Sequence, residues 1–116
     1  MWFIYAIEFN GNLNLNEIVN KLNDMGFNWL ECGCEDFEEY CYSIENQYNK
    51  ILYTFTLKYV YYPKEDIERI LLEIPYPRNV NEKNIILNEV KKIINSMRIL
   101  GLKIIKIYIL KSVNLI

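Results

Sequence analysis

Histidine is absent from the 116 residues of this chain, and glycine occurs only four times. Without histidine, a serine or cysteine nucleophile has no imidazole to act as its general base. The four glycines are isolated from one another, so the chain has no glycine-rich loop that would cradle phosphates. The sequence therefore carries no recognised catalytic or cofactor-binding motif, and we expect no cofactor.

Long apolar runs are missing as well. The longest uncharged apolar stretch falls well short of the ~18 residues that a membrane-spanning helix needs. The segment MWFIYAIEF, residues 1–9, has no basic flank and reaches Glu8 early, so it predicts a strand rather than a signal peptide. Three cysteines, an odd number, favour free thiols in a reducing compartment. We expect a cytoplasmic protein without membrane contact.

The composition is that of a globular chain. Apolar residues make up 52% and charged residues 24%, and 116 residues correspond to one domain spanning the whole chain. Isoleucine, asparagine, lysine and tyrosine together supply 53 of the residues. Because their codons are rich in A and T, we infer an A·T-rich genome of archaeal or viral origin.

The net charge of −2 conceals a strong asymmetry. Residues 1–57 carry two basic and nine acidic side chains, whereas residues 58–116 carry eleven basic and six acidic ones. Opposite charges on two parts of a small chain favour steered association, either with a partner or with a second copy. This asymmetry is the clearest signal in the sequence apart from the fold.

Hydrophobic periodicity predicts the order β-α-β-β-α-α-β. The predicted strands span residues 2–9, 36–45, 51–62 and 102–110, and the predicted helices span residues 14–25, 63–74 and 81–100. This order is that of the ferredoxin-like split βαβ arrangement with one extra short helix. We therefore expect an α+β fold in two layers, with an antiparallel sheet and the helices on one face.

The extra helix is predicted from one apolar stripe. Ile67, Ile70, Leu71 and Ile74 recur at intervals of three and four residues. Pro63 stands at a position that the first turn of a helix tolerates.

The segment ECGCEDFEEYC, residues 31–41, combines three cysteines with five carboxylates. Structural zinc sites use cysteine pairs separated by two to four residues, whereas Cys32 and Cys34 are separated by one and no histidine is present. Reactive thiolates need nearby cations, but the neighbours here are acidic. We interpret the segment as a turn and an acidic edge strand that discourages pairing with other chains.

We expect Cys32, Cys34 and Cys41 to react equally with a chromogenic thiol reagent in the presence and absence of zinc, because they lack the spacing of a metal site. Titration of the purified protein measures this. Protection of all three thiols by zinc would contradict the interpretation.

The basic half provides a candidate surface for nucleic acid. Lysine and arginine side chains on the third helix and the last strand would contact phosphates in a salt-dependent manner. These residues are Lys91, Lys92, Arg98, Lys103 and Lys106. On this hypothesis Tyr59, Tyr61 and Tyr62 would stack on bases, and LKYVYY, residues 57–62, resembles the aromatic strand motif of RNA-recognition domains but lacks its glycine–aromatic core. The alternative is that Tyr59 and Tyr61 face the helices, because they share a face of the strand with Phe55 and Leu57.

The leading hypothesis is binding to protein rather than catalysis. A sheet with helices on one face leaves a second face uncovered, and an apolar patch there usually marks an interface. The predicted interface residues are Trp2, Leu52, Val60 and Tyr62. Two-fold pairing is the commonest form of self-association, so we expect a homodimer, with another protein as a further partner.

A carboxylate-based enzyme is the third hypothesis. Glu8 is an isolated carboxylate in an apolar strand, where partial burial would suit it to act as a general base. The alternative is that it lies near the end of the strand and reaches water. A Mg²⁺-dependent nuclease needs only oxygen ligands. Its candidate residues would be Glu8, Glu31, Asp36 and Glu38, which show no recognised spacing.

Overall fold

A computed structural model describes residues 2–31, 41–48 and 51–111. Its elements are β1 (Trp2–Asn10), α1 (Leu15–Asp24), β2 (Leu30–Glu31), β3 (Cys41–Tyr48), β4 (Ile51–Tyr62), β5 (Ile67–Glu73), α2 (Val80–Ile99) and β6 (Lys103–Lys111). The strands form one sheet in the order β2-β3-β4-β5-β1-β6, and all neighbouring pairs are antiparallel. The predicted α+β class is confirmed.

The prediction of a helix over residues 63–74 is wrong. Residues 63–66 form a turn in which Asp66 adopts a left-handed φ of 53°, and β5 then pairs with both β4 and β1. Ile70, Leu72 and Ile74 are buried at intervals of two, so the same apolar residues fit a strand as well as a helix. Hydrogen bonding to a strand on each side makes this segment a strand, and the local sequence pattern does not reveal that pairing.

The predicted ferredoxin-like topology is not confirmed. Four consecutive strands, β2 to β5, lie between the two helices, where the sequence predicts only two strands and a helix. The short β2 was not predicted, and the start of the strand predicted at residue 36 falls outside the described residues.

One continuous core lies between the sheet and both helices, so α1 and α2 pack on the same side of the sheet. Its buried side chains include Ile7, Phe9, Phe55, Leu57, Ile70 and Leu72 from the strands, Ile18 and Leu22 from α1, and Ile86, Ile93 and Met97 from α2. The residues from each strand alternate with neighbours that point the other way, as a sheet with one covered face requires. This leaves the opposite side of the sheet without a helix among the described residues.

Both helices begin at an asparagine cap. The Asn14 side chain accepts from the Glu17 amide at 2.9 Å and donates to the Glu17 carboxylate at 2.8 Å, so the two residues cap the helix reciprocally. Asn79 accepts from the Glu82 amide in the same way at 2.9 Å. These contacts satisfy amide groups that the first helical turn leaves unpaired.

A pair of leucine substitutions tests the strand assignment of β5. Leu72 is fully buried, whereas Leu71 is half-buried on the other side of the strand. We expect Leu72→Ala to lower the free energy of unfolding by about 2–5 kcal/mol. Leu71→Ala should lower it by about 1 kcal/mol, since less apolar surface is lost. Urea denaturation measures both, and a larger loss for Leu71→Ala would indicate the helical pattern instead.

Candidate functional site

The side of the sheet that faces away from the helices is the candidate site, and we call it the outer face. Glu8 lies opposite Leu71, and Leu71 lies opposite Lys58, so these three residues share one side of the sheet. Strand alternation then assigns the rest of the row. The outer face comprises Ala6, Glu8, Thr56, Lys58, Val60, Tyr62, Ile67, Arg69, Leu71, Glu73, Lys106 and Tyr108.

A buried carboxylate lies at the centre of the outer face. Glu8 is only 5% exposed, although it projects from the side of β1 that neither of the two described helices covers. The hydroxyl of Tyr62, on β4, donates a hydrogen bond to the Glu8 carboxylate. Because β5 separates β4 from β1 in the sheet, this side chain spans a whole strand to reach its acceptor. A buried carboxylate requires such a donor to offset the loss of water.

The environment of Tyr62 favours its neutral form. Hydrogen bonds to Glu8 and then to Tyr108, together with burial and the nearby charge, raise the pKa of the Tyr62 hydroxyl above the ordinary tyrosine value. The Tyr62 hydroxyl therefore keeps its proton at ordinary pH values. Tyr62 is consequently unsuited to act as a base.

The remaining charges on the outer face also have partners. Lys58 Nζ lies 2.9 Å from Glu73 Oε1. Lys106 Nζ lies 4.5 Å from the centroid of the Tyr108 ring, a cation–π contact. Arg69 Nη1 donates to the Glu68 carbonyl oxygen at 2.9 Å. Lys58 is thus paired with a carboxylate, whereas Lys106 and Arg69 contact uncharged groups.

The structure places two of the four predicted interface residues on this face. Val60 and Tyr62 lie there and are half-buried. For Trp2 and Leu52 the structure describes the backbone alone. Whether any of the four contacts a partner stays a prediction.

The three tyrosines predicted to stack on bases, Tyr59, Tyr61 and Tyr62, are divided between two sides of β4. Tyr59 packs against the core and donates to Glu68 at 2.9 Å, and Tyr61 donates to Asp66 at 2.6 Å. Tyr62 points to the outer face and contacts Glu8. The three side chains thus do not line one surface for stacked bases.

The predicted basic residues are also divided. Lys91, Lys92 and Arg98 are exposed on α2, where Lys92 Nζ lies 3.1 Å from the Glu89 carboxylate. Lys106 lies on the outer face, on the opposite side of the sheet from α2. Lys103 is exposed at the start of β6. The five side chains therefore do not form one continuous patch.

The predicted carboxylate set is not assembled in the described part of the chain. Four strand spacings separate β1 from β2, which puts Glu8 and Glu31 about 19 Å apart across the sheet. Asp36, Glu38, Cys32 and Cys34 lie outside the described residues, and only the backbone of Cys41 is described. Among the described residues, no three histidine, cysteine or acidic side chains are grouped to hold a metal ion.

The free edge of β6 is a second surface, which sequence reasoning missed. Among the described strands, β6 pairs only with β1. Four large apolar side chains on it are about half exposed: Ile105 49%, Ile107 43%, Ile109 52% and Leu110 47%. The signal was present in the run KIIKIYILK, residues 103–111, which is apolar on both faces, but its position at a sheet edge depends on distant pairing.

An open polar cleft lies where α1 begins beside the β4–β5 turn. It has a volume of about 350 Å³ and is lined by Asn14, Leu15, Asn16, Tyr59 and Glu68. The polar groups of its walls contact one another, since Tyr59 donates to Glu68 and Asn14 caps α1. The cleft shows no charged or polar side chain that is both buried and unpaired.

Comparison of the chain with protein-family models, with curated proteins and with solved structures gave no match. Neither described helix has the length and apolar character that crossing a bilayer would require. The geometry of the described residues is therefore the basis for any functional proposal.

Replacing Tyr62 tests the buried hydrogen bond. We expect Tyr62→Phe to lower the free energy of unfolding by about 1–3 kcal/mol, because the buried Glu8 carboxylate loses its donor. Tyr61→Phe is the matched control on the same strand, since Tyr61 is 46% exposed and its acceptor Asp66 faces water. The control should lose less than about 0.5 kcal/mol. Equal losses, measured by urea denaturation, would contradict the assignment.

Alkaline pH provides an independent test of the same contact. The raised pKa of folded Tyr62 means that its contribution to stability is complete below the unfolded value of about 10 and decreases at higher pH. We expect the stability difference between the natural chain and Tyr62→Phe to stay constant up to about pH 10 and to shrink above it. A difference that grows above pH 10 in denaturation experiments would contradict this direction of the shift.

Proposed function

We propose that this chain is a small cytoplasmic binding protein that acts through contact with other protein surfaces, and that it forms a homodimer through the outer face. The observation that carries the proposal is the outer face itself. Its apolar and aromatic side chains surround the Glu8 carboxylate, which accepts from Tyr62, and the ion pair of Lys58 with Glu73.

Desolvation explains why this pairing matters. Burying an isolated charge in an interface costs several kcal/mol, and this cost would oppose association. Glu8 accepts from Tyr62 and Lys58 pairs with Glu73, so covering these groups does not leave them without a partner. Interface centres are correspondingly poor in unpaired charges and rich in tyrosine.

The apolar contribution comes from side chains that are half-buried in one copy. Val60, Ile67 and Leu71 lie beside Tyr62 and Tyr108, and each retains surface that a second copy would remove from water. A two-fold axis brings the same surface of both copies into contact, so each copy buries the same apolar residues in the interface. This supports back-to-back pairing of two sheets, with the helices outermost.

Sedimentation equilibrium tests the homodimer. We expect the natural chain to sediment as a dimer, and Val60→Lys to raise the dissociation constant at least tenfold, because it adds an unpaired charge beside Arg69 on the outer face. Asn84→Lys is the matched control, since it adds the same charge at an exposed position on α2. The control should associate like the natural chain.

Two results would remove the proposed homodimer. One is a natural chain that sediments as a monomer at every concentration. The other is equal weakening by Val60→Lys and Asn84→Lys, which would reflect net charge rather than a surface. Circular dichroism of both variants confirms that the fold is retained.

A further inference from the structure

The far side of β6 is open to another strand. β6 pairs with β1 from Lys103, opposite Asn10, to Lys111, opposite Trp2. No other strand of the described residues pairs with it. Every second residue along β6 therefore directs its N–H and C=O groups away from β1, where they can pair with an added strand.

The side chains of β6 extend this open edge on both faces. Ile107 lies opposite the buried Ile7 on the helix side, yet it is 43% exposed because nothing described packs beyond it. Ile109 is 52% exposed. On the outer face, the exposed Lys106 stands beside Tyr108. An added strand would thus meet isoleucines on one face and a lysine on the other.

Charge selects the kind of strand that fits. β6 contains Lys103, Lys106 and Lys111 and no acidic residue. Pairing two copies of β6 would bring six lysines and no carboxylate onto one ladder, and this accumulation of like charge disfavours the pairing. A strand with carboxylates would instead face the lysines with opposite charge. The edge is therefore protected against a second copy and favourable to an acidic segment.

We propose that β6 recognises an extended segment of a partner protein that alternates apolar and acidic side chains, by adding it to the sheet as a seventh strand. The apolar side chains of that segment lie beside Ile107 and Ile109 on the helix side, and the acidic ones lie beside Lys106 on the outer face. Main-chain hydrogen bonds supply the attraction common to all strands, and the alternation supplies the specificity. The inference rests on the proposal that the chain binds proteins, but not on pairing through the outer face.

Fluorescence anisotropy with synthetic nine-residue peptides tests this inference. The probe peptide alternates glutamate and valine, a first control replaces glutamate with lysine, and a second control keeps the glutamates but carries N-methyl groups along one edge of its backbone. We expect only the probe to bind, and its dissociation constant to rise several-fold when the salt concentration is raised tenfold. Equal binding of either control would overturn the proposal.

Variants of the protein locate the binding. Lys106→Glu should weaken binding of the probe peptide at least tenfold, and Lys106→Gln should weaken it by a smaller factor, since it removes the charge without reversing it. Asn84→Lys, at an exposed position on α2, should bind the probe like the natural chain. Unchanged binding by folded Lys106→Glu would overturn the proposal.

Hydrogen exchange separates this inference from the proposed homodimer. We expect the probe peptide to slow exchange of amides in β6. If β6 amides become protected with rising protein concentration alone, a second copy occupies the edge and the acidic-segment proposal is wrong. Failure of the outer-face homodimer would appear instead in sedimentation, with peptide binding retained.

Discussion

A carboxylate buried in the middle of a sheet is the constraint on which the arrangement of the strands depends. Glu8 stands between Ile7 and Phe9, whose side chains face the core. A register slip of one residue would direct the carboxylate into that core and the two apolar side chains out of it. The donor that Glu8 needs is Tyr62, two strands away, so the contact ties β4, β5 and β1 into one register.

The same constraint shapes the surface. An open sheet face is usually polar enough to remain in water, but here the polar groups are used within the chain, as the Lys58–Glu73 and Lys106–Tyr108 contacts show. The structure thus separates two roles: the centre of the outer face holds the Lys58–Glu73 ion pair, whereas the edge strand β6 carries three lysines and no acidic residue. A broad, neutral contact suits the first surface and an extended, charged one suits the second.

Local patterns were sufficient where the chemistry is local. Asn14 and Glu17 identify the start of α1, and the period of two through Phe55 and Leu57 identifies β4. The β5 segment was predicted as a helix because its apolar residues fit both the helical period of 3.6 residues and the strand period of two. Only its pairing with strands distant in sequence distinguishes the two structures.

The site was predictable in its members but not in its assembly. Glu8 is conspicuous as an isolated carboxylate in an apolar strand, and the alternation of side chains along β4 directs Tyr62 away from the core. Their contact joins residues 54 positions apart across an intervening strand, which no spacing rule encodes. The exposed edge of β6 was missed for a related reason, since whether a strand lies at an edge is a property of the whole sheet.

The position of β1 has a consequence during translation. Its two sheet neighbours are β5, which begins at Ile67, and β6, which begins at Lys103. At roughly 5–20 residues per second, a ribosome needs several seconds after completing β1 to reach the first of these strands, and a further, shorter interval to reach the second. During that interval an apolar segment with two unsatisfied edges emerges from the ribosome, and chaperones that bind nascent chains have their clearest target there.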